Sequence, residues 1–212
     1  MADIIVNFLQ SFIHNDFLIV AITSMFPLIE LKGAIPIGTK LGLELMQTAP
    51  LAYIGSTLIV IPVFFLLVPI FNLLKKAGFI GRFIEKVELV FRNKAKKIAS
   101  KAEGDAEKAV KKVYIISLFI FVAVPFPVTG VWTGTAIAVF LGLKFKDSIL
   151  PLALGNLVAG TIITLLTFFF EKYVDIIIAV LFAIAVVMLI VFIVKVIITK
   201  KDDETEKEEK AE

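Results

Sequence analysis

The chain alternates between long uncharged runs and short clusters of charge, and the run lengths dictate the architecture. Uncharged stretches cover Phe17–Ile29, Ala49–Leu74, Val113–Leu143, Ser148–Phe170 and Ile176–Val194, which are 13, 26, 31, 23 and 19 residues long. A helix needs about 20 mainly apolar residues to cross a hydrocarbon core of about 30 Å. The second, fourth and fifth runs therefore predict transmembrane helices at 49–74, 148–170 and 174–198, with Pro62 and Pro69 kinking the first of them. Run 113–143 is too long for one crossing and too short for two. Its middle reads Pro125-Phe126-Pro127-Val128-Thr129-Gly130, which ends one helix and lets Thr129 cap the next. A re-entrant hairpin that leaves on the face it entered fits that length. The start of the chain reads alike: Phe17–Ile29 is too short to span, Glu30–Gly38 is a breaker, and Thr39–Gln47 returns. This predicts a first re-entrant hairpin at 17–47 and a second at 113–143.

The two halves repeat at an offset of 100. Phe26-Pro27 matches Phe126-Pro127, Ile37 matches Ile137, Leu41-Gly42-Leu43 matches Leu141-Gly142-Leu143, and Gly55 matches Gly155. Orientation follows from Lys and Arg in the loops. Positions 75–112 carry twelve Lys/Arg against five Asp/Glu, which places this basic segment in the cytoplasm, whereas Glu171, Lys172 and Asp175 sum to −1 and lie outside. The first hairpin then opens outward and the second inward, the inverted-repeat arrangement common in secondary transporters. The predicted fold is an all-α integral membrane protein. It is an inverted repeat of re-entrant hairpin plus transmembrane helix, with one extra C-terminal span, in a single membrane domain over 1–199 of a multi-pass cell-membrane protein.

Peripheral segments complete the picture. Residues 3–13 place Ile4, Ile5, Phe8, Leu9 and Phe12 on one helical face and predict an interfacial helix, with no removable signal peptide. Gly81–Lys112 reads as an amphipathic helix whose apolar side is Phe83, Ile84, Val87, Phe91, Ala95 and Ile98, its basic side facing anionic lipid heads. Residues 200–212 hold seven acidic and four basic side chains and no apolar run, which predicts a disordered cytoplasmic tail.

Composition removes whole classes of function. Hydrophobic residues make up 59% of the 212, with 20 Phe, zero Cys and one His. Too little polar surface exists to cover a soluble globule. A disulfide framework, a thiolate site and a multi-His metal centre are excluded. No GxSxG, HExxH or phosphate-binding glycine loop is present, so the chain reads as no enzyme, without cofactor, metal or nucleic-acid partner. Its expected partners are membrane lipids, protons and a small-molecule or lipid substrate; a homo-oligomer is left open.

Against this background Glu30 stands out. A carboxylate in a hairpin breaker is costly unless used or paired, and it is the candidate proton or cation site; the alternative is a plain ion pair with Lys32 or Lys40. Lys40 is spaced to pair with Glu44. Lys32, Gly33, Pro36, Pro125, Pro127, Thr129, Gly130 and Trp132 line the expected pathway, with helix N-termini beginning near Pro36 and Thr129 and pointing inward. Asn156 lies mid-span beside Gly155, with Ser56 as its repeat counterpart, and serves either the pathway or helix–helix hydrogen bonding.

Glu30-Leu31-Lys32-Gly33-Ala34-Ile35-Pro36 and the stretch Pro125-Phe126-Pro127-Val128-Thr129-Gly130-Val131-Trp132-Thr133-Gly134 resemble the two signature regions of the prokaryotic small multidrug export proteins. The similarity covers roughly residues 15–170, and that family looks like a branch of the wider DedA superfamily. The resemblance implies two facing re-entrant hairpins, proton-dependent transport, and Glu30 with the Pro/Gly breakers as the working parts. DedA proteins proper carry arginines around the second-hairpin proline in an R-x-x-P-x-x-R pattern, where this chain has Val122 and Val128. The reading is a proton-coupled exporter of drug-like molecules. A lipid or polyprenyl-phosphate flippase is the alternative within transport, and a non-transporting membrane scaffold the alternative outside it.

Overall fold

The computed structural model describes residues 7, 8, 10–99, 105–173 and eleven positions between 175 and 191. Eight helices follow one another in the described residues: α1 (Asp16–Met25), α2 (Glu30–Lys40), α3 (Leu45–Leu58), α4 (Val60–Lys76), α5 (Gly78–Ala99), α6 (Ala106–Ala123), α7 (Val131–Phe140) and α8 (Phe145–Phe169), with a 3-10 turn at Glu171–Tyr173. No strand occurs among them. Of the expected interfacial helix, positions 7, 8 and 10–12 are helical and Ile13 is not, and the described positions of the expected span at 174–198 are helical; the rest of both segments, like the tail at 200–212, lies outside the described residues.

Local chemistry explains where each helix stops. Asn15 caps α1, its side chain accepting from the backbone N–H groups of Phe17 and Leu18. The α1 helix ends because Phe26 precedes Pro27 and is pushed to extended geometry, with ψ 137°. The break in the first half is therefore Phe26–Ile29, not the expected Glu30–Gly38. Glu30 opens α2, Pro36 lies within that helix, and Thr39–Gln47 is not an arm but a helix end, a turn and the start of α3. The second break falls where expected: Val124, before Pro125, is extended and Gly130 precedes α7. Thr129 does not cap α7. Its hydroxyl donates back to the carbonyls of Val124 and Phe126, both at 2.7 Å, and so holds the turn left by α6.

Each short helix then closes in the same way. Gly42 has φ 87° and Gly142 has φ 69°, a region that costs other residues a Cβ clash. Behind them Leu43 N–H bonds Gly38 C=O at 3.0 Å, and Leu143 N–H bonds Ala138 C=O at 2.9 Å. Both are the same six-residue helix-ending turn. The long helices follow. Leu45–Lys76 runs almost continuously, interrupted at Ile59 because Pro62 cannot donate to the carbonyl four residues back.

Leu45–Lys76 and Phe145–Phe169 are long and apolar enough to cross a membrane. In the first, only 17% of the most apolar window is buried within the protein. That much bare apolar helix demands lipid rather than water. The basic segment is not one helix through residue 112. The α5 helix ends at Ala99, and Asp105 caps α6, which begins at Ala106 and packs against α5. Ala95 and Ala99 are buried against Val110 in this pairing and Ile84 is buried as well, while Phe91 and Ile98 of the expected apolar side are exposed.

Two large core clusters hold the short helices to the long ones. Val20, Leu31, Ala34, Ile35, Ala52 and Ile163 join α1, α2, α3 and α8. Val60, Phe64, Leu118, Val122, Val131 and Leu152 lead the other, which joins α4, α6, α7 and α8. Gly55 and Gly155 set the close packing in each half. A Cβ on Gly55 would sit 2.7 Å from the Ala21 carbonyl of α1, and one on Gly155 would sit 2.8 Å from the Phe119 carbonyl of α6.

Candidate functional site

Where the two breaks meet, the first residue of α2 reaches the start of α7. Glu30 and Lys32 are each 4% exposed. Lys32 Nζ lies 3.1 Å from Glu30 Oε2. The other carboxylate oxygen, Oε1, accepts from the backbone N–H of Trp132 at 3.1 Å. Trp132 is the second residue of α7, and Gly130 at the N-cap supplies no side-chain hydrogen bond of its own. Glu30 thus caps a helix 100 residues further along the chain, and it sits where that helix carries partial positive charge. A Cβ on Gly130 would overlap the Glu30 carboxylate, so this contact requires glycine.

The indole of Trp132 completes the junction. Its Nε1–H donates to the Met25 carbonyl at the end of α1, at 2.8 Å. One residue therefore holds the first break twice, by backbone and by side chain. Each half also has a non-glycine residue with positive φ here, Glu30 at φ 48° directly after the first break and Val128 at φ 72° within the second. For a β-branched residue such as Val128 this is a true outlier, and such strain persists only where the surroundings impose it.

The remaining candidates distribute as follows. Pro125, Pro127 and Thr129 form the second break beside this junction. Pro36 is buried inside α2 and opens no helix, so the expected N-terminus near it lies instead at Glu30. Gly33 accommodates the Ile29 side chain, since a Cβ there would meet Ile29 Cγ2 at 2.5 Å. Lys40 reaches Asp175 Oδ2 at 2.9 Å. Asn156 joins a second polar contact: its Nδ2 donates to Ser56 Oγ at 2.8 Å and to Thr57 Oγ1 at 3.0 Å, linking α8 to α3.

The Met25 carbonyl and the Trp132 amide are the parts that reading side chains misses, since backbone groups leave no letter in a sequence. Chemically, the site holds one buried anion with both oxygens engaged and one buried cation that depends on it. Breaking such a pair strands a charge at low dielectric. A proton on Glu30, or a competing cation, would loosen Lys32 and the start of α7 together.

Residues 30–162 match the sequence profile of a family described as "Putative small multi-drug export protein". None of the curated proteins and none of the solved structures matches the chain.

Proposed function

This chain belongs to the family of small multi-drug export proteins, and on that premise we propose that it is a proton-coupled membrane exporter working through Glu30. The observation that carries this reading is the buried Glu30–Lys32 pair placed at the N-terminus of α7. An ionisable pair between two broken helices is costly to keep and marks a pathway more often than a packing contact. In this reading α1–α2 and α6–α7 are re-entrant hairpins entering from opposite faces, and Leu45–Lys76 and Phe145–Phe169 are spans. The like turns at Gly42 and Gly142 support an inverted repeat. So does the contact of Ser56 with Asn156, because residues related by a two-fold axis touch only near that axis. We extend the kinship to the DedA superfamily on the same residues.

The proposed cycle uses only this chain's groups. With Glu30 ionised, its carboxylate holds Lys32 and the Trp132 amide and the junction is closed. Protonation removes the charge from the α7 N-terminus and frees Lys32, which biases the hairpins toward the other opening. Such a bias needs a differential affinity of only a few kcal/mol.

The test is reconstitution into liposomes containing a pH-sensitive dye, with an imposed proton gradient and a panel of drug-like compounds. Wild type should show compound-dependent proton flux. Glu30→Gln, at matched protein content, should lose it, and Glu30→Asp should keep part. Unchanged flux and pH profile in Glu30→Gln would overturn the assignment.

A further inference from the structure

A cavity of about 650 Å3 opens between α5, the first turns of α6, the 141–144 turn and the first turn of α8. It shares no residue with the Glu30 junction. Four carboxylates line it, and each is already answered. Glu88 bonds Lys75 at 2.8 Å, Asp147 bonds Lys111 at 2.8 Å, Glu107 faces Arg92 at 3.7 Å, and Asp105 faces Lys108 at 3.8 Å. Two further lining cations, Lys96 and Lys144, have no ion-pair partner among the described residues. The cavity therefore carries spare positive charge although it contains both signs. Lys144 is also the N-cap of α8, a helix of 25 residues that starts here without a side-chain cap. Its first amides add positive potential at the same place. The walls are not wholly polar: Val110, Leu141 and Leu143 contribute apolar surface next to the cations.

We propose that this cavity binds a phosphate ester, the phosphate lying between Lys96, Lys144 and the start of α8, with the apolar wall taking the group esterified to it. An anionic lipid headgroup and a free phosphate share that chemistry. A halide or lone carboxylate has nothing to set against the apolar wall, whereas a phosphodiester with its glycerol meets both the cations and that wall and fits within the volume. Position favours the same ligand class, because α5 and α6 flank the ends of the apolar helices, where lipid headgroups lie.

Two probes separate the sources. The full chain is extracted from nanodiscs of mixed phosphatidylglycerol and phosphatidylcholine, and retained lipid is read by native mass spectrometry; inorganic phosphate is titrated by equilibrium dialysis in detergent. Retention of phosphatidylglycerol without phosphate binding identifies the lipid, and binding of both shows that the phosphate alone suffices. The variant K96Q/K144Q should lower either signal by about thirtyfold, the loss that two such cations imply together. K86Q/K94Q removes two lysines from α5 outside the cavity and should change it by less than about twofold. The proposal is overturned if neither probe binds, if K96Q/K144Q binds as well as wild type, or if K86Q/K94Q weakens binding as much. None of these outcomes depends on Glu30, so the proton-coupled reading stands or falls separately.

Discussion

At the scale of single residues, Glu30 and Lys32 form the pair on which the junction turns. Removing one partner of a buried pair typically costs about 3–5 kcal/mol, because the other charge is left unanswered. Lys32→Met and Glu30→Gln should therefore each lower the thermal midpoint in detergent. The double variant Glu30→Gln/Lys32→Met should recover most of that loss while transport stays absent, since a neutral pair packs but exchanges no proton. A double variant that transports would show the pair to be structural only. Gly130→Ala tests the same contact from the other side: a methyl there displaces the carboxylate from the α7 N-terminus and should reduce transport about as much as Glu30→Gln does. Glu30 was legible in the sequence because it is a charge within a long apolar stretch, although it stands just after the break rather than inside it. Its acceptor role at Trp132 was not, because the donor is a backbone amide brought near only by folding.

At the scale of elements, the turns after α2 and α7 make a sharper forecast than the helices do. Gly42 and Gly142 both have positive φ and open space around the missing Cβ, so only backbone geometry opposes a side chain. Gly42→Ala and Gly142→Ala should each cost about 1 kcal/mol. Gly78→Ala is the control, because Gly78 also has open space but no positive φ and begins a helix. It should be neutral or slightly stabilising by thermal denaturation. Equal losses at all three would argue against the turn geometry. The helix breaks were legible in kind but not always in place. Proline at 125 and 127 marks the second break directly. In the first half, the run of Glu30, Gly33, Pro36 and Gly38 outweighs Pro27 on paper. The chain breaks at Pro27 instead, with Phe26 extended before it, while α2 runs on through Pro36, as membrane helices tolerate.

At the scale of the whole molecule, the repeated order of helix, break, helix, turn and long helix was visible as identities 100 residues apart, since glycine and proline are needed at the same backbone positions in both halves. What letters cannot give is which faces meet. Asn156 with Ser56 and Thr57 joins α8 to α3 across the halves. Asn156→Leu should cost about 1 kcal/mol, the usual worth of such bonds between membrane helices, and proteolysis of the variant should release the halves earlier than wild type. The topology itself is testable by cysteine labelling in intact cells. Positions 15 and 47 should react from outside and positions 112 and 145 only after permeabilisation. A split within either pair would remove the re-entrant hairpin from that half.

Trp132 is the single tryptophan of the chain, and it is half-buried with its indole on Met25 and its amide on Glu30. The protein consequently carries its own optical probe at the point where the two halves touch. Excited near 295 nm, a wavelength tyrosine scarcely absorbs, emission comes from this one ring, whose colour tracks the polarity around it. Opening of the junction to water should shift that emission to the red, so a pH titration followed by fluorescence tests whether the junction opens, without any label or known cargo.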